Sequence, residues 1–136
     1  MDLYAETILD HSKHPRHRGE LSTPTVAHEE ANVSCGDMAK VMLRLDGDRV
    51  AEMQWMGAGC AISQAALSML AEELQGKTLT EIDALSKDDV LALLGVPVGP
   101  RRMKCALLGL HALKNALHAH RDEKAQPWRE TVGEAD

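Results

Sequence analysis

The stretch from Val41 to Trp55 constrains the fold of this chain more than any other. Val41, Leu43 and Leu45 alternate with Met42 and Arg44; after Asp46-Gly47-Asp48 a second alternation sets Ala51, Met53 and Trp55 against Glu52 and Gln54. A period of two puts alternate side chains on opposite faces of a strand. An Asp-Gly pair between two such runs is a hairpin turn. The reading is an antiparallel β-hairpin with one buried face, and because an isolated hairpin is marginal in water, other elements must cover that face.

The flanking sequence supplies them. Residues Asp2 to about Lys13 read as a short helix with Tyr4, Ile8 and His11 on one face, ended by His14-Pro15. Glu20 to Thr25 is turn-like, and Val26 to Val33 reads as a weak edge strand carrying His28, Glu29 and Glu30. After the hairpin, Gly57-Ala58-Gly59 breaks the strand. A helix then runs from about Cys60 to Leu74 with Ala66, Leu67, Leu70, Ala71 and Leu74 inward, and Gly76 stops it. Thr80 to Leu85 and Lys87 to Leu94 read as short helices, the second capped by Ser86. Beyond the loop marked by Pro97 and Pro100, a long helix is expected over Arg101 to Arg121, with Met103, Leu107, Leu110, Leu113 and Leu117 as its stripe. The segment 122–136 is polar, with Pro127-Trp128 as its only hydrophobic feature, and is expected to be a mobile tail beyond a single domain spanning 1–121.

One domain of 136 residues can bury a core without disulfide staples. Hydrophobic residues make up 44 % but aromatics only 2 %, with no Phe, so Leu, Ala, Val and Met must build that core. The net charge of −6 and the lack of a long Lys/Arg block argue against nucleic acid or an anionic membrane as the main partner. No apolar run approaches ~18 residues and no secretory leader is visible, so a soluble, cytoplasmic protein is expected. His11, His14 and His17, with Lys13, Arg16 and Arg18, form a basic patch. It reads either as a solvated helix end or as a docking surface for an acidic partner, and not as a metal site.

Three widely spaced cysteines do not make a disulfide framework. Their intervals match no CxxC finger or ribbon, and each alone is more often a small buried hydrophobe than a ligand. Context adds something. Cys35 is followed by Gly36-Asp37, Cys60 follows Gly57-Ala58-Gly59 at an expected helix start, and Cys105 falls in the first turns of the last long helix. Helix N-termini favour thiolate over thiol, which favours metal binding and nucleophilic attack alike.

Several stretches together resemble a known family. They are Leu3-Tyr4 with Ile8, Asp10-His11, Pro15-Arg16 and Gly19; Cys35-Gly36-Asp37; Gly57-Ala58-Gly59-Cys60-Ala61-Ile62-Ser63; and Arg102-Met103-Lys104-Cys105-Ala106. The chain resembles the IscU/SufU family of iron–sulfur cluster assembly scaffolds, also seen as the N-terminal domain of NifU. The resemblance implies an α+β fold of the SufE/NifU-like kind, a small three-stranded antiparallel sheet packed by helices with the site at one exposed end. It places the family's ligands on Cys35, Asp37, Cys60 and Cys105, a set that suits Zn²⁺ or a [2Fe–2S] cluster. Lys104 and Arg102 are candidates to moderate the charge of that site. Lys104 stands where IscU members have His, as in SufU members. The SufU insertion between the second and third cysteines is absent, and Pro97-Val98-Gly99-Pro100-Arg101 does not match the Leu-Pro-Pro-Val-Lys motif of IscU members. The features combine a SufU-like site with an IscU-like length.

The function so implied is cluster assembly and sulfur acceptance. Cys35, or alternatively Cys105, would take persulfide sulfur from a pyridoxal-phosphate-dependent cysteine desulfurase, and clusters would pass to acceptor proteins. Zinc-dependent sulfurtransferase activity is one form this could take. Two other readings stand beside it: a purely structural zinc site, and a thiol redox sensor.

Overall fold

The computed structural model describes residues 3–32 and 36–134. Its elements are α1 (Leu3–Lys13), β1 (Val26–Asn32), β2 (Asp37–Asp46), β3 (Arg49–Ala58), α2 (Ala61–Leu74), α3 (Leu79–Asp83), α4 (Lys87–Leu94), α5 (Met103–His120) and α6 (Trp128–Val132). The strands form one antiparallel sheet in the order β1-β2-β3, and the helices make the fold α+β, as expected.

Ala39, Val41 and Leu43 of β2 and Met53 and Trp55 of β3 share the covered face of the sheet, each fully buried. α5 packs over β1 and β2, and α2 packs against β3 and α5. The apolar character of α5 extends well beyond one stripe: Cys105 to Leu113 is buried without a break, because the sheet, α2, α4 and α6 surround the helix. α2 and α5 meet at Gly109, where a Cβ would lie 2.8 Å from Leu67 Cδ2. The core is aliphatic apart from Trp55, whose indole Nε1 donates to the Arg16 carbonyl at 2.8 Å.

The hairpin departs from strict alternation at one point. The register shifts between Arg44 and Leu45, which pair with Glu52 and Val50, so Ala51 has no partner. This is a β-bulge, and its extra residue turns Ala51 to solvent while Val50 takes the buried place. Met42 lies on the opposite face and is nonetheless 1 % exposed. The segment before β1 runs over that face, tied down by Arg44 to the Ser22 carbonyl at 2.8 Å and by Lys40 to Glu20 at 3.5 Å. Residues 16–19 follow the outer edge of β3, where the His17 carbonyl accepts the Trp55 amide and Gly19 donates to the Trp55 carbonyl. That edge is thereby closed to further strand pairing.

The expected helices form with small shifts at their ends. α3 and α4 begin in reciprocal capping boxes, Thr78 with Glu81 and Ser86 with Asp89. The C-terminal segment, expected above as a polar tail, carries a further helix. Residues 128–132 form α6, with Thr131 and Val132 buried. Asn115 on α5 holds the approach to it: its amide exchanges two hydrogen bonds with the Gln126 backbone, at 3.0 and 2.7 Å. His111 Nδ1 lies 2.7 Å from Thr131 Oγ1, and Lys87 pairs with Glu134 at 2.7 Å. Hydropathy alone misses this segment because polar side chains do much of the docking. No helix is long and apolar enough to cross a membrane among the described residues.

Candidate metal and sulfur centre

Three elements end at one point. Asp37 is the first residue of β2, reached through Gly36, whose φ of +77° is a left-handed conformation that favours glycine. Cys60 is the N-cap of α2, where the chain leaves β3, and Cys105 is the third residue of α5. Their ligand atoms all lie within 4.8 Å of one another, with Asp37 and Cys105 buried and Cys60 half-buried. Ligand atoms around a tetrahedral zinc with bonds of about 2.3 Å stand about 3.8 Å apart, within that limit. Cys35 and Ser34 fall outside the described residues.

The electrostatics favour anions. Neither α2 nor α5 has an acidic residue in its first turn, so the partial positive charge of both N-termini faces the thiols uncompensated. The cleft over the three ligands is lined by Gly36, Gly59, Arg101 and Arg102 besides the ligands themselves. Asp37 is 4 % exposed, and its Oδ2 has no hydrogen-bond partner among the described residues. A buried carboxylate oxygen left in that state costs free energy until a cation or donor reaches it. Two thiols and such an oxygen fit a zinc ion or an iron–sulfur cluster by donor chemistry.

Gly59 belongs to this geometry. A Cβ there would lie 2.6 Å from both Cγ and Oδ1 of Asp37. The space that a side chain at Gly59 would fill is taken by the Asp37 carboxylate. Gly57 serves packing instead, since its Cβ would lie 2.9 Å from the Met38 carbonyl.

The other singled-out residues separate. Arg102 lines the cleft as anticipated, and so does Arg101, which the sequence reading left out. Lys104 points elsewhere, its ammonium 5.1 Å from the centroid of the Trp128 ring. His11 is buried between α1 and α2, with Nδ1 2.8 Å from Ser68 Oγ; burial, reinforced by the nearby Arg16, holds its ring below the usual imidazole range. His14 and His17 are exposed. Among the described residues, Asp37, Cys60 and Cys105 are the one group arranged to hold a metal ion.

The chain as a whole has relatives. Residues 3–127 match the model of the NifU-like N-terminal domain. The chain belongs to that family. A zinc-dependent sulfurtransferase SufU from Bacillus subtilis (strain 168) is 34 % identical over 132 residues, spanning 85 % of this chain and 89 % of that protein. An iron–sulfur cluster assembly scaffold protein IscU from Thermotoga maritima is 31 % identical over 131 residues, spanning 85 % of this chain and 92 % of that protein. Among solved structures, a putative SUF-system scaffold from Fervidobacterium islandicum AW-1 superposes with a TM-score of 0.73 at 30 % identity, covering 82 % of this chain and 94 % of that one. The N-terminal part of a NifU-like protein from Brucella abortus shares the fold, with a TM-score of 0.74 at 21 % identity. The NifU-like N-terminal domain thus accounts for the three-stranded sheet and the helices that cover it.

Proposed function

We propose that this protein is an iron–sulfur cluster assembly scaffold and sulfur acceptor, working at a site made of Cys35, Asp37, Cys60 and Cys105. The observation that carries the reading is the convergence of Asp37, Cys60 and Cys105, with an orphaned buried carboxylate oxygen among them. Membership in the NifU-like family and similarity to proteins named as a zinc-dependent sulfurtransferase and as cluster scaffolds support it.

The donor is a pyridoxal-phosphate-dependent cysteine desulfurase carrying a persulfide. A thiolate of this protein attacks the outer sulfur of that persulfide; the new S–S bond forms here, the desulfurase S–S bond breaks, and its cysteine leaves as thiolate, so no external oxidant or reductant is needed. Cys35 is the proposed acceptor. Cys105, at 4 % exposure, is poorly placed to meet a sulfur on another protein without local opening. The two helix N-termini and the arginines at the cleft favour the attacking thiolate. A zinc ion bound there would keep its ligand cysteines deprotonated. Asp37 is the one oxygen donor in the set and the ligand that exchanges most easily with an incoming group. Clusters are the cargo, passed on to acceptor proteins, and the cytoplasm is the proposed setting.

Anaerobic purification followed by zinc, iron and sulfide analysis tests the site. Near-stoichiometric zinc, or iron with sulfide, is expected, and Cys60→Ser should lower it sharply. Metal content unchanged by Cys60→Ser refutes the assignment.

A further inference from the structure

Lys104 immediately precedes Cys105 in the first turn of α5, and its four-carbon stem can carry its charge toward the thiols or away from them. It is not among the residues that line the cleft. Its ammonium lies over the ring of Trp128, 5.1 Å from the centroid, and that ring stacks on His111 with centroids 4.2 Å apart and planes inclined by 17°. Lys104 and His111 are seven positions apart on one helix, so both face α6 rather than the site. Trp128 opens α6, one residue beyond the stretch shared with the family.

We propose that Trp128 is a positioning residue for the metal and sulfur site: its ring holds the Lys104 ammonium on the α6 side of α5, outside the thiol cleft, so that docking of the C-terminal helix keeps a competing cation away from the metal.

The physical case is a competition for one charge. Asp37 and the cysteine thiolates would attract an ammonium tethered one residue from Cys105. An ammonium within a few ångströms of that set repels an incoming dication and takes up the carboxylate oxygen the dication needs. A cation held over an indole face is stabilised there, which biases the ammonium toward the α6 side. α6 is itself fixed by Asn115 to the Gln126 backbone and by His111 to Thr131, so the ring is presented by a docked helix. The inference rests on the site proposed above.

The test is zinc affinity of the full chain, measured by competition with a chromophoric chelator. Trp128→Leu should weaken zinc binding about 3- to 10-fold. Trp128→Phe, which keeps a π face, should recover most of it, and Lys104→Met combined with Trp128→Leu should restore the native affinity. A loss of the same size with and without Lys104→Met shows that Trp128 only supports the fold, and overturns the proposal; so does no loss at all. Lys104→Met alone keeps the question answerable if Trp128→Leu fails to fold. It should change affinity less than twofold, and a severalfold tightening would place the ammonium in the cleft and overturn the proposal. A native chain that takes up no zinc and no cluster refutes the site itself. Native binding with a null Trp128 result refutes only the positioning role.

Discussion

At Gly59 a single missing methyl group decides where a ligand can sit. A Cβ would fall 2.6 Å from Cγ and Oδ1 of Asp37, closer than real contacts come, and the carboxylate is the side that must move. Gly59→Ala should therefore lower zinc affinity about 10- to 100-fold, the usual cost of disturbing a ligand's support. Gly99→Ala, where a Cβ meets nothing within 4 Å, should leave it unchanged and serves as the control in the same competition assay. Equal affinities for the two variants would show that Asp37 is not held by this contact. The sequence made Asp37, Cys60 and Cys105 legible as candidates through their neighbours and their resemblance to a family. It could not show Gly59 guarding the Asp37 carboxylate, because that contact joins the start of β2 to the end of β3. Lys104 was misplaced for a related reason: the residue that captures it, Trp128, sits in a segment whose composition reads as tail.

The elements α1, α2 and α5 set the two packing predictions. Gly109 lies within α5 against Leu67 and Leu70 of α2. Replacing a mid-helix glycine by alanine gains about 1 kcal/mol of helix propensity, but its Cβ would lie 2.8 Å from Cδ2 of Leu67, which is fully buried and has nowhere to go. Overpacking of this kind costs about 1–3 kcal/mol and wins. Gly109→Ala should lower the urea midpoint, and a raised midpoint would show that α2 yields easily. Between α1 and α2, His11 is buried against Ser68, with its pKa held below 6.5 first by burial and then by Arg16. The unfolded chain therefore binds a proton on this ring that the folded chain refuses. The resulting stability is fully present above about pH 6.5 and is lost as pH falls below it. Melting temperature should fall between pH 7.5 and 5.5, and His11→Gln should flatten that slope; an unchanged slope would remove His11 from the account. Helix and strand identities were largely readable, because the alternation of Val41 to Trp55 and the stripe of α5 reflect real faces. The bulge at Ala51 and the burial of Met42 were not. Both depend on register and on a strap from a distant part of the chain.

For the whole molecule, the core and the site are separable. The core unites Leu, Ala, Val and Met side chains from the sheet, α2, α4 and α5, none of which carries a ligand atom of the Asp37, Cys60 and Cys105 group. Stripping metal with a chelator should thus leave the far-ultraviolet circular dichroism nearly unchanged while abolishing zinc content. A purely structural zinc predicts unfolding instead. A family match over residues 3–127 gives the sheet and its covering helices, and α6, which begins just beyond that match, places Trp128 against the Lys104 ammonium of the first turn of α5. The central claim is that this scaffold accepts sulfur on its own thiol. Incubation with a pyridoxal-phosphate cysteine desulfurase and cysteine, followed by alkylation and mass-spectrometric mapping, tests it most directly. The account predicts persulfide on Cys35 that disappears in Cys35→Ser; persulfide on none of Cys35, Cys60 and Cys105 would contradict it.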